Sequence, residues 1–308
     1  VITRRQFSTA VLSGVALPAL TRRWGHASPV GGVSLGVQTY SFREIARGGA
    51  ADALDVILAS MKTCGLDECE LWSPQIENPR GGAAAAPATT DAERAAAREG
   101  LRRWRVATGP DYFAGVRRRF AAAGMTIYAY NLSFNESFTD EEINRGFEAA
   151  KALDAQAITA STTLKVASRL VPFAQKHGVP VSMHNHSNVE DPNEFATPRS
   201  FTTALAMSPL FKVNLDIGHF TAANFDALAF LEAHHDRITN LHLKDRRKNQ
   251  GDNVPWGQGD TPIREVLAWL KRRASPIRAY VEYEYKGTRG VVAEVTACAD
   301  FARKALTT

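Results

Sequence analysis

The sequence predicts an α/β protein closed into a (β/α)8 TIM barrel, and three observations lead there. From residue 33 onward, eight short apolar runs alternate strictly with eight helical patterns. Strict alternation demands a parallel sheet, because a helix must carry the chain back to the end where the previous strand began, and eight such units close into a barrel. No glycine-rich phosphate loop follows the first run, which reads Val37-Gln38-Thr39-Tyr40. That weighs against the doubly wound open sheet, the other fold built from this alternation. Size is the third observation: residues 31–308 suit a barrel domain, which commonly fills about 250 residues.

In chain order, strands are expected at 34–39, 66–72, 125–131, 156–160, 179–184, 211–216, 238–243 and 278–283. Helices are expected at 50–63, 110–123, 140–153, 163–177, 198–207, 225–234, 262–273 and 291–306. Thr139 followed by Asp140, Glu141 and Glu142 reads as a capping box. Thr197-Pro198 and Thr261-Pro262 each place a capping hydroxyl before a first-turn proline. Gly65, Gly124 and Gly178 stand where helices should stop. The longest insertion, 75–109, runs through Gly81-Gly82-Ala83-Ala84-Ala85-Ala86-Pro87 and then a basic stretch from Arg94 to Arg105. It reads as a loop followed by a helix, on the barrel face where active sites lie. A lid is one reading and a plain surface excursion the other.

Residues 1–30 read as an address label rather than as part of the barrel. Thr3-Arg4-Arg5-Gln6-Phe7-Ser8-Thr9 precedes an apolar, small-residue run from Ala10 to Leu20. This is similar to a twin-arginine (Tat) export signal, and the run is shorter than the ~20 apolar residues that span a bilayer. The expected location is therefore periplasmic or otherwise exported, with no membrane attachment once the signal is removed.

The remaining composition is that of a soluble globular domain, with 44% hydrophobic and 22% charged residues. The formal charge is +5, but Arg4, Arg5, Arg22 and Arg23 supply four of those charges. The nearly neutral body gives no electrostatic case for a nucleic-acid partner. Cys64, Cys69 and Cys298 are odd in number and form no CxxC pair, so buried thiols are expected rather than disulfides or a zinc knuckle. A homo-oligomer is left open.

Chemistry-bearing residues gather at strand ends. Strand 5 ends in His184-Asn185-His186, strand 6 in Asp216 with His219 close behind, and strand 7 in His242-Leu243-Lys244. Strand 8 carries Glu282 and Glu284, and strand 2 offers Glu70 to a substrate. With a period of two, Ser182, His184 and His186 share one face. Four successive strands thus supply His184, Asp216, His242 and Glu282, ligand types suited to a divalent transition metal. Converging carboxylates without a cation would be costly to bury. Two imidazoles and two carboxylates suit manganese, zinc or cobalt better than magnesium. His186 is the competing ligand if His184 lies deeper, and Asn185 or a backbone carbonyl is expected to steady the ligand imidazole's other nitrogen.

Asp-x-x-His on strand 6, His-Leu-x-Asp on strand 7 and the strand-8 glutamate together resemble the xylose isomerase-like TIM-barrel superfamily. The resemblance is carried by Gly36-Val-Gln-Thr-Tyr-Ser-Phe42, Glu70-Leu-Trp72, His184-Asn-His186, Asn214-Leu-Asp-Ile-Gly-His-Phe220, Asn240-Leu-His-Leu-Lys-Asp245 and Glu282-Tyr-Glu-Tyr285. It covers residues ~33–306, and is nearest to proteins described as sugar phosphate isomerase/epimerase. It implies that Asp216, His242 and Glu282 are metal ligands and that Glu190 and His219 contact substrate hydroxyls. Epimerases of this group carry a glutamate on strand 5 where this chain has His184, which removes one of their two opposed carboxylates.

The resemblance implies a sugar or keto-sugar substrate, unphosphorylated if the protein is exported. The expected reaction is isomerisation or epimerisation through an enolate, with Glu282, Glu284 or His186 moving the proton and Lys244 supplying a cation. Lyase, dehydratase or hydrolase action on a keto-sugar or keto-glycoside is the alternative, and needs only one strong base. The endonucleases of the superfamily carry a further Asp-x-His pair after strand 7. The corresponding stretch here, 251–260, has no histidine, so DNA repair is disfavoured.

Overall fold

The structure, a computed structural model, describes residues 29–46, 53–77 and 90–308. Eight parallel strands close in sequence order: β1 Leu35–Gln38, β2 Glu68–Trp72, β3 Thr126–Asn131, β4 Ala157–Ala160, β5 Val181–His184, β6 Phe211–Asp216, β7 Ile238–Leu243 and β8 Arg278–Val281. The chain therefore forms the (β/α)8 TIM barrel that the alternation predicts. Ten helices accompany the strands among the described residues: α1 Ala53–Thr63, α2 Asp91–Ala107, α3 Pro110–Ala122, α4 Asp140–Ala152, α5 Leu164–His177, α6 Pro198–Met207, α7 Ile217–Ala222, α8 Ala227–His234, α9 Ile263–Arg272 and α10 Val291–Thr307.

Alternation along the strands separates two environments. Val37, Leu71, Ile127, Val181, Val213, Leu241 and Ala279 are buried in the apolar core between sheet and helices. The opposite pleat faces into the barrel and is largely polar. Gly36 leaves room for it: a Cβ there would lie 2.6 Å from the Tyr280 ring, whose hydroxyl donates to Glu68. Glu70 is fully buried and accepts from Gln38 (2.6 Å), Asn131 (3.0 Å), Thr159 (2.7 Å) and Asn240 (2.7 Å), each on a different strand. A buried carboxylate is stable only with such partners, and with a longer bond from Asn214 on β6 (3.3 Å) it joins six strands.

Most helix signals act as expected. Thr139 and Glu142 close a capping box, and Thr197 caps α6 with Pro198 in its first turn. Gly65, Gly124 and Gly178 take positive φ at helix ends. Thr261 is the exception. Its hydroxyl accepts from the Arg246 amide at 3.0 Å and so does not cap α9, which starts from Pro262 with no side-chain cap. An unexpected element is α7, started by Asp216 Oδ1 accepting from the His219 amide at 2.7 Å.

The 75–109 insertion ends in α2, capped by Thr90 and Glu93. Arg105 pairs with Glu77 through two bonds of 2.7 and 2.8 Å, and Arg102 reaches Glu142 at 3.3 Å. α2 is thereby fastened to the barrel as a wall beside the strand ends. The Gly-Ala-Pro run and the proposed export signal lie outside the described residues. Cys64, Cys69 and Cys298 are free and buried, and no helix among the described residues is long and apolar enough to cross a membrane.

Candidate active site

Strands β5 to β8 end side by side, and parallel pairing fixes which side chains meet. Asp216 is paired with His242 across β6 and β7, and His184 with Asn214 across β5 and β6. Glu282 follows β8, its amide still bonded to Leu243. One ligand atom each from His184, Asp216, His242 and Glu282 lies within 4.8 Å of the other three. All four residues are nearly or fully buried. His184 Nδ1, Asp216 Oδ2, His242 Nδ1 and Glu282 Oε2 are buried atoms without a well-formed hydrogen bond. His242 Nδ1 and Glu282 Oε2 lie 2.9 Å apart, so the four atoms converge on one another from four strands, an arrangement able to hold a cation.

Partners elsewhere orient these groups. His242 Nε2 lies 2.8 Å from Glu70 Oε2. A carboxylate can only accept, so Nε2 carries a proton toward Glu70, and Nδ1, 2.9 Å from Glu282 Oε2, is the nitrogen that must give up its proton to hold a cation. Asp216 uses Oδ1 on the α7 amide, which leaves Oδ2 for the centre. Asn185 does not steady His184 as expected. Its amide clamps the Asp216 backbone, accepting from Asp216 N at 2.9 Å and donating to Asp216 O at 3.1 Å.

Lys244 Nζ sits against the same carboxylates, 3.0 Å from Asp216 Oδ2, 2.9 Å from Glu282 Oε2 and in contact with Glu284 Oε2. Gly218 opens its path, because a Cβ there would lie 2.2 Å from Lys244 Cγ. Burial pushes the Asp216 carboxyl up to about 7 despite this ammonium. Burial opposes charge on His242, but Glu282 and Glu70 on either side hold it well above the usual histidine range. Burial and the neighbouring His242 keep His184 well below that range, leaving its ring neutral.

The site opens into a cavity of about 140 Å³. Of the residues singled out from sequence, His184, His186, His219, His242, Lys244, Glu282 and Glu284 line it. Two expected substrate contacts are placed differently. Glu70 lies beneath the cavity, with its oxygens occupied by barrel side chains and His242. Glu190 is exposed on the loop after β5 and does not reach the cavity. Tyr40 and Trp72 meet edge to face at 4.8 Å as an aromatic wall, and Asn131, Ser133 and Ser161 complete the lining. Glu194, absent from the sequence reading, holds His186 Nδ1 at 3.0 Å. Only the loop's backbone pairing of His186 with Phe195 brings it there, and no spacing rule announces that.

His219 Nδ1 faces Arg246 Nη1 at 2.7 Å. Guanidinium only donates, so Nδ1 accepts and the ring proton is on Nε2. His184, His186 and His219 also cluster within 4.8 Å, but His219 then has no lone pair left for a cation. Its Nε2–H instead faces Lys244 Nζ at 3.2 Å with no acceptor between them, where a substrate oxygen would serve both.

The family's sequence profile, described as xylose isomerase-like TIM barrel, matches residues 59–297. Among solved structures, the 3-keto-D-glucoside 4-epimerase YcjR from E. coli is 12% identical with a TM-score of 0.60, covering 88% of this chain and 99% of its own. The probable 3-DHS dehydratase AsbF from Bacillus anthracis is 15% identical with a TM-score of 0.59, covering 89% and 98%. The IOLI protein with a bound zinc atom is 16% identical with a TM-score of 0.57, covering 89% and 96%. No curated protein matches significantly. These identities speak for the fold alone, but the profile spans most of the chain, and the chain belongs to the xylose isomerase-like TIM barrel family.

Proposed function

We propose that the protein is a divalent-metal-dependent enzyme that moves a proton beside the carbonyl of an unphosphorylated sugar or keto-sugar, in the manner of a sugar isomerase or epimerase. The observation that carries this reading is the convergence of His184 Nδ1, Asp216 Oδ2, His242 Nδ1 and Glu282 Oε2, all buried, without a well-formed hydrogen bond and within 4.8 Å of one another. These residues would hold the metal, and two nitrogens with two oxygens suit zinc, cobalt or manganese better than magnesium. The zinc in the IOLI protein agrees with that choice. Bound there, the ion would polarise a carbonyl and its neighbouring hydroxyl and acidify the adjacent C–H.

The chain's own groups divide the remaining work. Glu284, partly exposed in the cavity and held by Lys244, is placed to take or return a carbon-bound proton. His186, oriented by Glu194 through Nδ1, presents Nε2 to the cavity, where Ser161 Oγ donates to it at 3.4 Å, as a second proton-moving group. His219 Nε2–H and the Lys244 ammonium are placed to bind the oxygen that gains negative charge. Tyr40 and Trp72 give an apolar face for the ring.

One observation favours the lyase or dehydratase reading as a second possibility. The strand-5 position is His184, which leaves no carboxylate on that side of the cavity, so a two-carboxylate epimerisation lacks one partner. Incubating metal-reconstituted protein in D2O with free sugars, 3-keto-sugars and glycosides decides between them. Deuterium uptake without change of connectivity is the expected result, and loss of water or aglycone would transfer the function to the lyase class. No exchange or turnover on any member would end both readings.

Export by the twin-arginine route is part of the proposal. Arg4→Lys with Arg5→Lys should retain the protein in the cytoplasm of its host, and undiminished periplasmic protein would reject the signal.

A further inference from the structure

A second cavity adjoins the first. It has a volume of about 780 Å³, and its lining shares Ser161 and His186 with that of the inner cavity. The floor is Phe134 and Val166, and the rim carries Arg98 on α2, Asn188 and Asp191. α2 has no buried residue and touches the core only through the half-buried Trp104, and it is fastened in place by Arg102 and Arg105. That fixes Arg98 at the rim.

Two groups in this cleft lack partners. Thr162 is 8% exposed, and its hydroxyl has no hydrogen bond. Arg98 has no ion pair among the described residues. An orphaned buried hydroxyl costs about 1–3 kcal/mol, so such a group at a cleft wall calls for a ligand's hydrogen bond. The charges exclude an anionic ligand. Asp191, Glu136 and Glu194 all line the cleft against the one arginine, and a phosphate there would meet three carboxylates. Mixed donors and acceptors over a small apolar floor match a neutral, hydroxyl-rich molecule.

We propose that the outer cleft is a subsite for a second sugar ring, so that the substrate is a glycoside of two or more rings rather than a free monosaccharide. This rests on the reading of the inner cavity as the site of the reacting sugar. The two cavities meet at Ser161 and His186, so the oxygen linking the rings lies beside His186, whose ring Glu194 holds from the outer side. A single ring bound at the inner site would leave the larger cavity empty and the Thr162 hydroxyl unsatisfied.

The test is affinity measured by saturation-transfer NMR titration on the metal-reconstituted chain, with glucose and galactose as one-ring probes and cellobiose, maltose and lactose as two-ring probes. At least one disaccharide should bind tenfold or more tighter than its monosaccharide, with saturation reaching protons of both rings. Thr162→Val and Arg98→Ala should each remove most of that gain and leave the monosaccharide's affinity unchanged. Monosaccharides that bind as tightly as every disaccharide would overturn the second subsite and leave the inner sugar site standing. A disaccharide advantage that survives both substitutions would also overturn it. Binding of neither class would overturn both readings.

Discussion

The barrel's interior has two polar storeys with opposite bookkeeping of hydrogen bonds. In the lower one, Glu70 is buried and accepts from Gln38, Asn131, Thr159 and Asn240, with His242 above. In the upper one, His184, Asp216, His242 and Glu282 are as deeply buried, but each has an atom without a well-formed hydrogen bond, and these atoms face one another and the Lys244 ammonium. Equal burial with unequal satisfaction separates scaffold from site. A saturated carboxylate holds strands together, whereas unsaturated ones await a ligand.

This difference is open to attack by substitution. The largest effect should come from Asp216→Asn or Glu282→Gln, each of which removes a carboxylate ligand and keeps the side chain's shape, including the α7 cap. Metal affinity should fall by orders of magnitude, with turnover lost alongside it and the thermal midpoint of the metal-free protein lower by no more than a few degrees. Elemental analysis with a melting curve reads both. A metal-free midpoint many degrees lower would show that the upper storey is scaffold too. Glu70→Ala should do the converse, unfolding the lower storey. Leaving its donors unpaired should cost on the order of 3–5 kcal/mol, a drop of about 10 °C in midpoint. An unaltered midpoint would contradict the scaffold role.

A finer probe is Glu70→Gln. It keeps the shape but weakens the hold on His242 Nε2, and metal affinity should fall about 10–100-fold. Because Asp216 must be ionised and His242 Nδ1 free to bind a cation, uptake releases protons. Affinity should therefore rise with pH through about 7, where burial has pushed the Asp216 carboxyl. Calorimetry in buffers of different ionisation enthalpy measures that release, and a pH-independent affinity would exclude both groups. Glu190→Ala, on the exposed loop, should change nothing measurable, and a raised KM would restore it as a substrate contact.

Fold and site were unequally legible. Strand periodicity and glycine stops show in single residues, so the barrel, the capping at Thr139 and Thr197 and the strand-end cluster follow from pattern alone. α7 does not show in the pattern because it is short and its cap, Asp216, is the last residue of β6, so no loop separates strand from helix. Glu70 reads as a strand-end carboxylate like Glu282. Only the inward neighbours supplied by other strands show that it is saturated. Glu194 and Arg246 orient histidines distant in sequence or across a loop, and such partnerships depend on tertiary placement.

The four buried atoms that converge in the upper storey stand or fall together as one metal site. Metal stoichiometry and affinity in His184→Ala and His186→Ala, beside the unaltered chain and after reconstitution with zinc, cobalt or manganese, decide the matter. One ion per unaltered chain is expected, with affinity lowered by orders of magnitude in His184→Ala and full retention in His186→Ala with reduced turnover. Fewer than one ion per unaltered chain, or loss of the ion in His186→Ala with retention in His184→Ala, would contradict it.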